Sequence, residues 1–118
     1  MLDKRKFYIN GQWVEPSKKN DFNVINPSDE TVCAVISLGS QEDTNAAVNA
    51  AREALPSWSN SSKEDRVALL ERLYSIYQRR MNEMAEVISM EMGAPIDFAK
   101  RSQAPSGTEA IEDFLIQL

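Results

Sequence analysis

Residues 32–54 read Val32-Cys33-Ala34-Val35-Ile36-Ser37-Leu38-Gly39-Ser40-Gln41-Glu42-Asp43-Thr44-Asn45-Ala46-Ala47-Val48-Asn49-Ala50-Ala51-Arg52-Glu53-Ala54, and the hydrophobic period changes inside this stretch. Val32, Ala34 and Ile36 alternate with period two, as on a strand with one covered face. Past Gly39 the apolar positions Ala46, Ala47, Ala50, Ala51 and Ala54, with Val48, recur at about 3.6 residues, the period of a helix. Ser40 with Asp43 forms a capping-box pattern, with Asp in place of Glu or Gln at the third helical position. The small side chains let another backbone come close. This helix is expected to end before Pro56, because a proline ring disfavours helix at the preceding residue.

Upstream, the chain reads as strands. Phe7-Tyr8-Ile9 and Trp13-Val14 flank Asn10-Gly11, a strong two-residue hairpin signal, since both residues tolerate the positive φ of a type I′ turn. The run from Pro16 to Asn20 is polar and turn-like. Phe22 and Val24 suggest a strand that pairs with Val32, Ala34 and Ile36 across the turn formers Asn26-Pro27-Ser28-Asp29. Lys4, Arg5 and Lys6 at the start read as a solvated terminus.

Downstream, Ser62 with Asp65 repeats the capping pattern. Val67, Leu70, Tyr74, Tyr77, Met81, Met84 and Ile88 then follow at alternating spacings of about 3 and 4, one apolar stripe on a long helix. Leu69, Leu73 and Ile76 widen it. Gly93 is placed as the residue past the helix end, with Pro95 as a stop. A straight helix from 62 to 92 spans about 46 Å, against roughly 35 Å for a compact domain of this length. A break near Arg80-Met81-Asn82, with Asn82 as a new N-cap, is therefore expected; the alternative is packing on polypeptide outside the chain. A last helix is expected from about Ser106 through Ala110, Ile111, Phe114 and Leu115. The apolar run Phe114-Leu115-Ile116 before Gln117 and Leu118 suggests a cut through a larger domain. The expected architecture is α/β, with two N-terminal hairpins in residues 1–39 and three or four helices in residues 40–118.

Composition narrows the function. The 118 residues carry a net charge of −5, with 42% apolar and 26% charged residues, which suits a globular chain and argues against generic nucleic-acid binding. No run is long and apolar enough for a membrane span, and no apolar segment follows the basic start as in a secretory signal. The single cysteine, Cys33, has no internal disulfide partner, so a cytoplasmic location is expected and the sequon at Asn60 is read as chance. Histidine is absent, which removes the commonest general base and metal ligand. Gly11, Gly39, Gly93 and Gly107 are too dispersed for a phosphate-binding loop. Cys33, among Val32, Ala34 and Val35, reads as a small buried side chain, since an active thiolate needs a base or a positive environment. Tyr74, Tyr77, Met81 and Met84 read as core, and Trp13 and Trp58 as packing anchors. The acid pairs Glu42-Asp43 and Glu64-Asp65 complement helix dipoles.

Taken in order, these pieces resemble the N-terminal region of the aldehyde dehydrogenase superfamily. Phe7-Tyr8-Ile9-Asn10-Gly11-Gln12-Trp13-Val14 is similar to its opening hairpin, and Asn26-Pro27-Ser28 with Thr31-Val32 to its second. Ser40-Gln41-Glu42-Asp43 before the alanine-rich helix, Trp58, Arg66-Leu69-Leu70, and Glu91-Met92-Gly93-Ala94-Pro95 follow in the family's order. The resemblance covers the chain from Phe7 onward. It implies a parent enzyme that oxidises aldehydes to acids with NAD or NADP through a cysteine thiohemiacetal and thioester. It also implies that the catalytic cysteine, the water-activating glutamate, the oxyanion asparagine and the cofactor loop lie outside these residues. On that reading the chain is an inactive scaffold segment that binds no cofactor alone and self-associates through exposed apolar helix faces. The resemblance further implies a monovalent-cation site using Val24, Ile25 and Glu91 as oxygen donors, and a substrate-tunnel border near Gln103 to Ala110. The alternative is a naturally short oligomerisation or binding module derived from that fold. A plain coiled coil leaves the strand half without a role.

Overall fold

The structure, a computed structural model, describes residues 1–117. The chain divides into two compact units, one of residues 1–26 and 30–60, the other of residues 27–29 and those from Ser61 onward. The first helix thus groups with the strands.

In the first unit, β2 (Phe7–Ile9) and β3 (Gln12–Val14) form the expected antiparallel hairpin, with Tyr8 opposite Trp13. Asn10 and Gly11 adopt φ of 52° and 76°, the double positive φ that a type I′ turn requires. β4 (Asp21–Ile25) and β5 (Val32–Ser37) form the second hairpin. β5 is central in the three-stranded order β1-β5-β4. Its burial departs from simple alternation: Ala34, Val35 and Ser37 are all buried, because neighbours on either edge cover a central strand more fully than one face. The outer partner, β1 (Leu2–Lys4), runs parallel to β5 with Leu2 opposite Ala34. The basic start is therefore not a free terminus. A three-residue strand paired with a distant parallel neighbour leaves no local periodicity to read.

Helix α1 (Gln41–Ser59) starts on the predicted capping box, with the Ser40 side chain accepting from the Asp43 amide and Asp43 accepting from Ser40. It does not stop before Pro56. The proline sits in the last turn, and side chains occupy the carbonyls there: the Ser57 hydroxyl donates to Ala54 O, and Asn60 Nδ2 and the Ser59 hydroxyl donate to Pro56 O. Substitute donors of this kind let the final turn close although proline supplies no N–H. Trp13 and Trp58 are not interior anchors here; they are 67% and 45% exposed, and Trp13 rests against Tyr8 with ring centroids 5.2 Å apart.

In the second unit, α2 (Lys63–Met92) runs unbroken for 30 residues. The expected break at Arg80-Met81-Asn82 is absent. No proline or glycine interrupts this span, Arg80 pairs with Glu83 one turn on at 2.9 Å, and Met81 packs against the fully buried Ala85, Ala99 and Ala104. Ser62 caps the start in a second capping box, and Gly93 ends the helix at φ 71° with its N–H on Ser89 O. A short α3 (Ile96–Phe98) leads into a π-helical turn (Ala99–Gln103), then α4 (Ser106–Gln117). The alanines let that turn approach α2 closely. The Tyr77 hydroxyl donates to Ala104 O at 2.8 Å, and the Tyr74 hydroxyl donates to Glu112 of α4. Tyr74, Tyr77, Met81 and Ile88 are partly buried, as expected of core positions, while Met84 is exposed. Phe114 and Ile116 on α4 are exposed; the expectation for Leu118 lies outside the described residues. Among those residues no helix is long and apolar enough to cross a membrane, and no large side chain is fully buried.

The two positive-φ glycines separate two effects. A Cβ at Gly11 meets nothing within 4 Å, whereas one at Gly93 lies 2.7 Å from Pro27 Cγ. Gly11→Ala is expected to cost about 1–2 kcal/mol from backbone conformation alone. Gly93→Ala adds about 1–3 kcal/mol of overpacking. Urea unfolding followed by circular dichroism checks the ordering, and equal losses would contradict it.

Candidate functional site

Val24 and Ile25 close β4 where the register slips. Val24 faces Ala34 but Ile25 faces Val32, so Cys33 is an extra residue on β5, a β-bulge. The Cys33 thiol donates to the Val24 carbonyl at 3.3 Å. A half-buried thiol whose hydrogen rests on a carbonyl has no base to generate a thiolate. Cys33 is thus a packing residue, half-buried rather than fully enclosed. Glu91 is exposed in the last turn of α2. Val24 and Ile25 belong to the first unit and Glu91 to the second. Among the described residues, no three His, Cys, Asp or Glu side chains gather as a metal cluster.

Gln103 to Ala110 span the end of the π-helical turn and the start of α4. The Ser106 hydroxyl donates to Gln103 O at 2.6 Å, and the Thr108 hydroxyl to Pro105 O at 2.7 Å. The Gln103 Oε1 atom is buried without a hydrogen-bond partner. The π-helical turn has no signature in the sequence beyond the small residues that allow it.

The most charged feature of the first unit was not foreseen. Arg5 donates to Asp3, next to β1, and to Asp21 at the start of β4. Its guanidinium thereby joins the two edge strands across β5. Donation from Arg5, with its positive charge, pulls the Asp3 carboxyl down to about 2. Lys6 pairs with Glu15 at 3.0 Å and Lys19 with Asp21 at 3.6 Å. Every one of these pairs is solvent-accessible, so the arrangement contributes geometry more than stability. The signal available in the sequence was the interleaving of Asp3 with the basic run, but not the distant Asp21.

Asp43 is the best-connected acid. It accepts from the Ser17 amide at 2.9 Å and the Ser40 amide at 2.8 Å. These bonds to the ionised form hold its carboxyl below the usual carboxylate range, the Ser40 amide contributing most. Asp65 is lowered in the same way, chiefly by the Ser62 hydroxyl. Cap and loop are thereby fastened together: Asp43 fixes the entry of α1 and the segment around Ser17 at once. Chemically, these acids are charge acceptors for backbone amides, with no reacting group beside them.

Scaffold geometry, two capped helices and no assembled catalytic group describe part of a larger α/β enzyme rather than a self-contained one. Residues 13–117 match the aldehyde dehydrogenase family, and the chain belongs to that family. It is 44% identical over 108 residues to a 3-succinoylsemialdehyde-pyridine dehydrogenase of a Pseudomonas species, covering 91% of this chain and 23% of that protein. Its fold matches the crystal structure of an aldehyde dehydrogenase from Bartonella henselae with a TM-score of 0.95 and 50% identity, over 98% of this chain and 24% of that one. A variant of aldehyde dehydrogenase C from Pseudomonas syringae, solved with NAD+ and octanal, matches with a TM-score of 0.91 and 38% identity, over 95% and 24% of the two chains. The chain therefore spans about a quarter of the length of these relatives, and its strands and helices match the N-terminal part of their fold.

The lowered acids fix the sign of a pH dependence. A carboxyl depressed in the folded state adds stability that is complete above the ordinary value of about 3.9 and is lost as pH falls through its native value. Unfolding of the chain is expected to become easier below about pH 4, and Asp43→Asn should flatten that fall. Urea midpoints measured at successive pH values check it; an unchanged slope in the variant would count against the role of Asp43.

Proposed function

We propose that this chain serves as the N-terminal scaffold segment of an NAD(P)-dependent aldehyde dehydrogenase and is inactive alone. The observation that carries this reading is the pairing of a near-complete fold match with a span of only 24% of the matched enzyme. The surface agrees with it: Leu69, Leu73, Ile76, Val87, Phe114 and Ile116 are exposed apolar side chains, more than a chain complete in itself ordinarily leaves in water. Two neighbours were solved with a nicotinamide cofactor, the Pseudomonas syringae enzyme and a methylmalonate-semialdehyde dehydrogenase from Sinorhizobium meliloti with NAD. These support NAD in the parent. In that enzyme a cysteine thiolate attacks the aldehyde, hydride leaves to the nicotinamide, and a glutamate directs water onto the thioester. The chain's own contribution is rigidity, through capped helices and the Arg5 and Asp43 ties. Alone, its uncovered helix faces drive self-association.

The purified chain is expected to produce no NADH or NADPH from a panel of aliphatic and aromatic aldehydes, followed by absorbance at the reduced-nicotinamide band. Turnover above a no-protein control would refute the scaffold reading.

The cation reading belongs to the parent. The Val24 and Ile25 carbonyls and the Glu91 carboxylate are hard oxygen donors of the type alkali ions prefer; the Val24 oxygen also accepts the Cys33 thiol. The full-length enzyme is expected to melt at a higher temperature in potassium than in an equal concentration of a bulky organic cation, and Glu91→Gln should narrow the gap. Superimposable melting curves for the unaltered enzyme in the two salts would rule the site out.

A further inference from the structure

The half-buried face of α2, through Leu70, Tyr74, Met81, Ala85 and Ile88, faces the interior of the second unit. About a third of a turn round the helix lies a second stripe. Leu69, Leu73, Ile76 and Val87 on it are between 42% and 47% exposed. Leu73, Ile76, Met84 and Val87, with Arg80 and Glu83, line an apolar groove on this face. Leu69, Leu73, Ile76, Arg80, Glu83, Val87 and Met90 follow one another at alternating steps of about four and three residues, the seam of a two-helix coil. The two central seam positions are a cation and an anion.

Those two charges select a partner. In a parallel pair of identical helices, Arg80 faces Arg80 and Glu83 faces Glu83, a repulsion at the centre of the seam. In an antiparallel pair with its two-fold axis between Met81 and Asn82, each Arg80 faces a Glu83. The same register sets Ile76 opposite Val87 and Leu73 opposite Met90. On one flank Arg79 meets Glu86, and on the other Tyr77 meets Met84. A polar layer within an apolar seam costs stability unless matched, and so fixes register. An interface of this kind is isologous, one patch serving both chains.

We propose that this face of α2 docks a second copy of the chain as an antiparallel, two-fold helix pair in which Arg80 of each copy faces Glu83 of the other. The proposal rests on the self-association stated above and names its surface and register. Within one chain, Arg80 and Glu83 already pair at 2.9 Å with both side chains solvent-accessible, so the same two groups are placed to exchange partners across the axis.

The test is a charge swap read by sedimentation velocity over a concentration series. The unaltered chain is expected to dimerise. Arg80→Glu alone and Glu83→Arg alone each set like charges together and should weaken the dimer at least about tenfold. An equimolar mixture of the two variants should recover to within about threefold of the unaltered chain, since each then supplies the charge the other lacks. In each variant chain the internal pair stays broken, so recovery cannot come from restored helix stability. Should either reversal unfold the chain, Arg80→Lys keeps the fold, and a zero-length carbodiimide should then join position 80 of one copy to Glu83 of the other, identified by mass spectrometry of the dimer band. An unaltered chain that stays monomeric overturns the proposal together with the self-association, and leaves this face to another polypeptide. A dimer indifferent to the single reversals, a mixture without recovery, or a carbodiimide dimer lacking that linkage overturns the register alone.

Discussion

Three alanines without exposed surface set the second unit. Ala85 on α2, Ala99 at the start of the π-helical turn and Ala104 just after it are all fully buried. A larger side chain at any of them would push the turn off the helix, and the Tyr77 hydroxyl could no longer reach the Ala104 carbonyl. Once the turn is seated, α4 starts where Gly107 meets the Tyr77 ring, and Glu112 comes within reach of Tyr74. The unit is held by close backbone approach and a few phenolic hydrogen bonds, not by a mass of large apolar side chains. That is a sparse interior for its size, and it accords with a segment whose remaining apolar surface is meant for other polypeptide.

The first unit is tied differently. Its strands are short, and polar groups do much of the fastening. Arg5 bridges both edges of the sheet, and Asp43 joins the loop at Ser17 to the head of α1. Neither acid nor base here has the desolvated surroundings that tune catalytic groups. The same charged residues that elsewhere mark active sites serve here as fasteners, in keeping with a scaffold role within the aldehyde dehydrogenase family.

Much of this was legible in the sequence. Both hairpins, both capping boxes, the glycine terminus of α2 and the last helix follow from local chemistry, because turns and caps are decided by a few adjacent residues. The family was legible for the same reason: its marks are turns and caps in a fixed order. What escaped reading depends on contacts remote in sequence. β1 is a strand because β5 lies beside it. Pro56 stays helical because Ser57, Ser59 and Asn60 supply donors. The expected break in α2 came from comparing helix length with a compact diameter, but the helix has no residue that would bend it. The Arg5 bridge required knowing that Asp21 would stand across the sheet. Of the residues tied to function, Cys33 was read as packing and is found hydrogen-bonded in a strand.

The bulge at Cys33 has a further meaning for the strand that carries it. One surplus residue shifts the phase of side-chain alternation, so Val32 and Ala34 both keep partners on β4 although an odd residue separates the pairings. The site acts as a splice that reconciles the spacing of the Asn26–Thr31 turn with the hydrophobic face of β5. Removing that single position would restore an even count and invert which side of the sheet every preceding residue of the strand presents. Changes in length are thus constrained at this point far more tightly than changes in identity.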